Sequence, residues 1–134
     1  MTKQNGKILV SACLCGDKCR YDAALLAVGP KIKKMGNIVS VCPEKLGGLP
    51  VPRAKSFIKN GTGKDVLLGA AQVVNEKGTD VTKQFLRGAH KALACAKKNG
   101  VTRAFLKSKS PSCGRNGVAA VLLKQHKIKI IWVD

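Results

Sequence analysis

A chain of 134 residues with 45% apolar side chains is long enough for one buried core and short for two. No apolar run approaches the length of a bilayer and no signal-peptide core opens the chain, so neither a membrane span nor secretion is expected, and a cytoplasmic location is. Lys and Arg number 25 against 7 Asp and Glu, a net charge of +18 that favours polyanions, RNA first among them, although 4% aromatic residues supply few stacking platforms for single strands.

In chain order, Lys7–Ala12 reads as a first strand, almost continuously apolar as a buried parallel strand should be. Ala23–Met35 is a weak helical segment that Gly29-Pro30 interrupts. Asn37–Val41 reads as a second strand. From Pro43 to Asn60 the run Gly47-Gly48-Leu49-Pro50-Val51-Pro52 predicts a long functional loop without regular structure. Ala70–Asn75 is a further short strand, closed by a turn at Lys77-Gly78.

The strongest periodicity lies between Thr82 and Asn99, where Asp80 or Thr82 can cap a helix and Gly100 can end it. Phe85, Leu86, Ala89, Leu93 and Ala96 make one apolar stripe, with Lys83, Arg87, His90, Lys91 and Lys98 on the solvated side. Val101–Leu106 returns as a strand, Gly117–Gln125 is a short helix, and Lys127–Val133 is a last strand. From Lys83 through Val133 there is no acidic residue. Strands alternating with helices predict a single α/β domain over residues 1–134, Rossmann-like, with a mainly parallel sheet flanked by helices.

Six cysteines in a reducing compartment read as ligands, nucleophiles or buried thiols rather than as disulfides. Cys13, Cys42 and Cys113 each follow an apolar, strand-like run. Parallel strands would bring all three to the carboxyl-terminal edge of one sheet, where open α/β sheets place their sites. Three thiolates meeting there suggest a metal centre with one position left open for chemistry. The spacing of Cys13, Cys15 and Cys19 matches no zinc ribbon, and strand alternation would put Cys13 and Cys15 on one face. Cys19 beside Arg20 could be a thiol of lowered pKa, whereas Cys95 reads as structural. Glu44, two residues past Cys42 and one of few acids, is a candidate general acid/base. Ser110-Pro111-Ser112-Cys113-Gly114 is a rigid turn carrying hydroxyls and a thiol. His90 and His126 have no visible partner, and there is no G-x-S-x-G, P-loop or dinucleotide fingerprint.

Taken together, Ser11-Ala12-Cys13-Leu14, Cys19-Arg20-Tyr21-Asp22, Cys42-Pro43-Glu44, Gly47-Gly48-Leu49-Pro50, Pro52-Arg53, Asp80-Val81-Thr82, Phe85, Gly88-Ala89 and Ser110-Pro111-Ser112-Cys113-Gly114 resemble the DUF523 family, which includes the thiouracil desulfidases. The resemblance runs in order from about residue 7 to residue 133. It implies a [4Fe–4S] cluster on Cys13, Cys42 and Cys113, with Glu44 as catalytic carboxylate and Ser110 as substrate-positioning hydroxyl. The activity implied is removal of sulfur from a thiolated pyrimidine as sulfide, without net redox change. The net charge extends the expected substrate to a thiolated base within RNA, transfer RNA included.

Two positions depart from the family pattern. Ala23 stands where a glycine often follows Tyr-Asp, and Gly114-Arg115-Asn116-Gly117 runs straight into the last helix where the family carries a longer glycine-rich segment. A more open site is the expected consequence. Two other readings compete: a basic RNA-binding module with zinc or no metal at its cysteines, and a thiol sulfur carrier using Cys15 or Cys19.

Overall fold

A computed structural model describes residues 7–15 and 37–134. The segment Ala23–Met35 and Cys19 lie outside the described residues, as do Arg20, Tyr21 and Asp22. Four strands form a parallel sheet in the order β2-β1-β5-β6: β1 (Ile8–Ser11), β2 (Ile38–Val41), β5 (Arg103–Lys107) and β6 (Lys129–Val133). Every residue of β1 is buried, as expected for a strand flanked on both sides and covered on both faces.

The two faces of the sheet feed two apolar clusters. Leu9, Val41, Ala104 and Leu106 join the side chains of α3 (Thr82–Lys98) and α4 (Val118–Gln125). Ile8, Val10 and Phe105 point the other way and pack with Ala12, Cys13 and Leu14. On α3 the predicted stripe is buried at Phe85, Ala89, Leu93 and Ala96, and Gly88 and Ala92 extend it. The N-cap of α3 is Val81 rather than Asp80 or Thr82; Asp80 accepts the Thr82 N–H at 2.8 Å from just before it. That bond and the Thr82 hydroxyl hold its carboxyl below the usual 3.8.

Three expectations are corrected. The stretch from Pro43 to Asn60 is not all loop: it contains the one-turn helix α1 (Pro43–Leu46) and β3 (Ser56–Lys59). β3 pairs antiparallel with β4 (Gln72–Asn75) in a separate two-stranded sheet. Between them sits α2 (Gly63–Leu67), which no periodicity marks because it is barely more than a turn. Its start is a capping box, Thr62 with Asp65. Strand alternation does not govern Cys13 and Cys15, because the chain leaves β1 into a 3-10 turn over Ala12–Cys15. Arg87 is exposed, on the solvated side that the periodicity gives it, and its Nη1 donates to the Gly47 carbonyl at 3.3 Å. Among the described residues no helix is long and apolar enough to cross a membrane.

Candidate active site

β1, β2 and β5 run parallel, so the residues that follow them emerge at one edge. Cys13 lies in the 3-10 turn after β1, Cys42 directly after β2, and Cys113 in the turn after β5. Cys13 and Cys113 are buried and Cys42 half-buried. A cavity of about 330 Å³ at this edge is lined by all three, together with Glu44 and Ser110. Cys13, Cys42, Cys113, Glu44 and Ser110 therefore border one space, which Cys15 does not line.

Strand separation makes room for that space. β1 and β5 pair through Val10 and Phe105. One residue on, the backbone ladder gives way to a side chain: the Lys107 N–H donates to Ser11 Oγ at 3.0 Å. Ser11 is almost fully buried, so this bond closes the gap without a further turn of ladder. Beyond it the chain runs on to Cys13 from β1 and to Cys113 from β5.

Cys42 and Glu44 are placed by a close helix crossing. α1 lies on α3 with Gly47 and Gly88 at the contact. A Cβ on Gly47 would fall 1.9 Å from the Gln84 carbonyl oxygen, and one on Gly88 would fall 1.8 Å from that of Pro43. Only glycine fits at either position. Glu44 then meets Arg53, whose Nε and Nη2 both donate to Oε1, at 3.0 and 2.9 Å. The pair is largely withdrawn from water, with 6% of the arginine and 15% of the glutamate side chain exposed.

Around Cys113 the chain folds on itself. Ser110 Oγ accepts the N–H groups of Ser112 and Cys113, each at 3.1 Å. The Gly114 N–H returns to the Ser110 carbonyl at 2.8 Å. Ser110 thus serves the turn as an acceptor while its hydroxyl proton is committed to no acceptor among the described residues. Lys109, just before it, takes the left-handed conformation at φ 62°. Lys55, Lys107 and Lys109 also line the cavity, and with Arg53 they surround the thiols with positive charge. The sequence hides these lysines among many others. Arg53 was visible as part of a motif, but not its partner.

Thiolates are soft donors, suited to iron or zinc, and cationic walls favour their ionised form. Among the described residues no three His, Cys, Asp or Glu side chains gather closely enough for one metal ion. A cluster takes each thiolate on a different iron, so it suits wider-set cysteines than a single zinc does. A second cavity, of about 630 Å³, adjoins the first and shares Lys55, Ser56, Ser108, Lys109, Ser110 and Pro111 with it. Gly114, Arg115, Asn116 and Gly117 border this space.

The profile of the 2-thiouracil desulfurase family matches residues 8–132. The uncharacterized protein YbbK of Bacillus subtilis (strain 168) is 42% identical over 142 aligned positions, covering 92% of this chain and 93% of that one. Among solved structures, the [4Fe-4S]-dependent thiouracil desulfidase TudS superposes with a TM-score of 0.83 at 34% identity, covering 95% of this chain and 90% of that one.

Proposed function

The chain belongs to the 2-thiouracil desulfurase family, and from that membership we propose that residues 1–134 form one [4Fe–4S]-dependent thiopyrimidine desulfidase domain. The observation that carries this reading is the convergence of Cys13, Cys42, Cys113, Glu44 and Ser110 on one cavity. Cys13, Cys42 and Cys113 would hold the cluster. When bound, it would supply one iron without a protein ligand, a soft Lewis acid for a thiocarbonyl sulfur.

The chain's own groups account for the remaining steps. Glu44 takes a proton from water as the water oxygen attacks the thiocarbonyl carbon. Arg53 fixes that carboxylate through Oε1, so Oε2 is the oxygen that takes the proton. Ser110 keeps its hydroxyl proton for a polar atom of the ring, because its oxygen is already anchored by two backbone N–H groups. The carbon exchanges sulfur for oxygen, sulfide leaves, and no electrons are gained or lost.

The substrate is a thiolated pyrimidine. Lys55, Lys107 and Lys109 on the cavity wall favour one that carries phosphate, as a nucleotide or within RNA such as transfer RNA, over the bare base. A chemistry that needs reduced cysteines favours a cytoplasmic location. Charge alone supports the alternative, a non-catalytic RNA-binding module. Anaerobically loaded protein should release sulfide and form the matching carbonyl base in equal amounts. Offering 2-thiouracil, a thiolated nucleotide and thiolated transfer RNA side by side ranks the substrates. Sulfide release from none of them overturns the enzyme reading.

A further inference from the structure

Trp132 is the chain's one tryptophan, and nothing in the proposed chemistry uses it. It stands on β6, at the edge of the sheet, with its ring packed against the core that α3 and α4 share. Half-exposed indoles commonly leave their N–H to water. Here Nε1–H donates to the carbonyl oxygen of Cys113 at 2.8 Å. Arg115, two residues beyond that cysteine, lays its guanidinium over the same ring, 4.7 Å from the centroid. Lys124 of α4 stands 6.0 Å from it.

The peptide groups flanking the Cys113 side chain are therefore held from opposite sides. Ser110 Oγ takes its N–H at 3.1 Å and Trp132 holds its carbonyl. The segment Ser108–Gly117 contains no helix or strand that could otherwise fix the direction of the thiol. Outer groups that orient a ligand count nearly as much as the ligand itself.

We propose that Trp132, pinned beneath Arg115, is a positioning residue that aims the Cys113 thiolate into the cavity and slows release of the metal centre. The inference rests on Cys113 being a cluster ligand, as proposed above. Trp132→Phe keeps an aromatic ring beneath Arg115 and deletes only the donor.

Wild type and Trp132→Phe are loaded anaerobically and challenged with an iron chelator while the visible absorption is followed. Electron paramagnetic resonance spectra of the reduced forms and melting curves of the iron-free forms are recorded alongside. The expected result is cluster loss on the order of tenfold faster in the variant. Its resonance line shape should change, while the iron-free melts stay close together. Equal loss rates and identical spectra overturn the inference.

If the variant does not fold, wild type decides alone. The sole indole N–H gives one cross-peak in a nitrogen-15 spectrum. It should exchange slowly with solvent in the iron-free protein and be shifted by the paramagnetic centre on loading. Exchange at the rate of an exposed indole in loaded protein overturns the proposal. A wild type that takes up no iron overturns the cluster reading and this inference with it; a loaded wild type indistinguishable from its variant overturns this inference only.

Discussion

Arg53 grips Glu44 by a single carboxylate oxygen, with Nε and Nη2 both on Oε1 at 3.0 and 2.9 Å. Its Nη1 meanwhile holds the Pro50 carbonyl at 3.1 Å, so the guanidinium ties the glutamate to the Gly/Pro-rich segment. One oxygen is anchored by two donors, in a residue that lines the same cavity as the cysteines, which suits the general-base role proposed for Glu44.

Glu44→Gln should preserve this geometry, since the amide oxygen can still accept from Arg53, while abolishing proton uptake. Cluster content is expected to stay at the wild-type level. The rate of sulfide release should fall by about 10²–10⁴-fold, the usual contribution of a positioned base. Iron analysis beside a turnover assay separates the two effects. A variant that turns over at the wild-type rate would remove Glu44 from the chemistry.

Arg53→Met strands a largely buried carboxylate without its cation. Breaking such a pair from one side costs about 3 kcal/mol, because the remaining charge is left desolvated. A urea titration of the iron-free protein should show that loss, and turnover of the loaded protein should drop with it. Arg53→Lys should rescue only part, since an ammonium cannot place two donors on one oxygen while holding the Pro50 carbonyl.

The Gly47–Gly88 crossing makes a steric prediction. Gly88→Ala would set a methyl 1.8 Å from the Pro43 carbonyl oxygen, a backbone atom that cannot swing aside. α1 must lift from α3, at about 1–3 kcal/mol for an overpacked contact. Cys42 lies immediately before α1, so cluster uptake should suffer more than the melting temperature does. Iron content measured beside a thermal melt checks this.

The sequence shows the ends of the strands well, because β1, β2 and β5 are short apolar runs, with Cys13 and Cys42 within two residues of their ends and Cys113 in the turn that follows the third. That is why Cys13, Cys42 and Cys113 could be gathered at one edge before any coordinates. β3 and α2 escaped notice for a different reason. Ser56–Lys59 is stabilised by its remote partner β4 rather than by its own pattern, and Gly63–Leu67 is too short to show a period. The grip of Arg53 on Glu44 and of Trp132 on the Cys113 carbonyl are likewise tertiary facts.

Asp80 makes a pH prediction. Its folded pKa lies below the ordinary 3.8 because the Thr82 hydroxyl and N–H stabilise the carboxylate. A lowered folded pKa means the stabilisation is complete above the unfolded value and disappears as pH falls through the folded one. Asp80→Asn should therefore be less stable than wild type at neutral pH. The gap should close below about pH 3.8, which melts across the acid range would reveal. A gap that stays constant with pH would mean the carboxylate charge contributes nothing at the start of α3.

The central claim is that three cysteines from three strand ends hold one iron–sulfur cluster. Its most direct test is iron and acid-labile sulfide analysis of anaerobically reconstituted wild type beside Cys13→Ala, Cys42→Ala and Cys113→Ala. About four irons and four sulfides per wild-type chain, with the cluster lost or degraded in each variant, is the expected result. Colourless wild type, or variants that keep a full complement of iron, would contradict it.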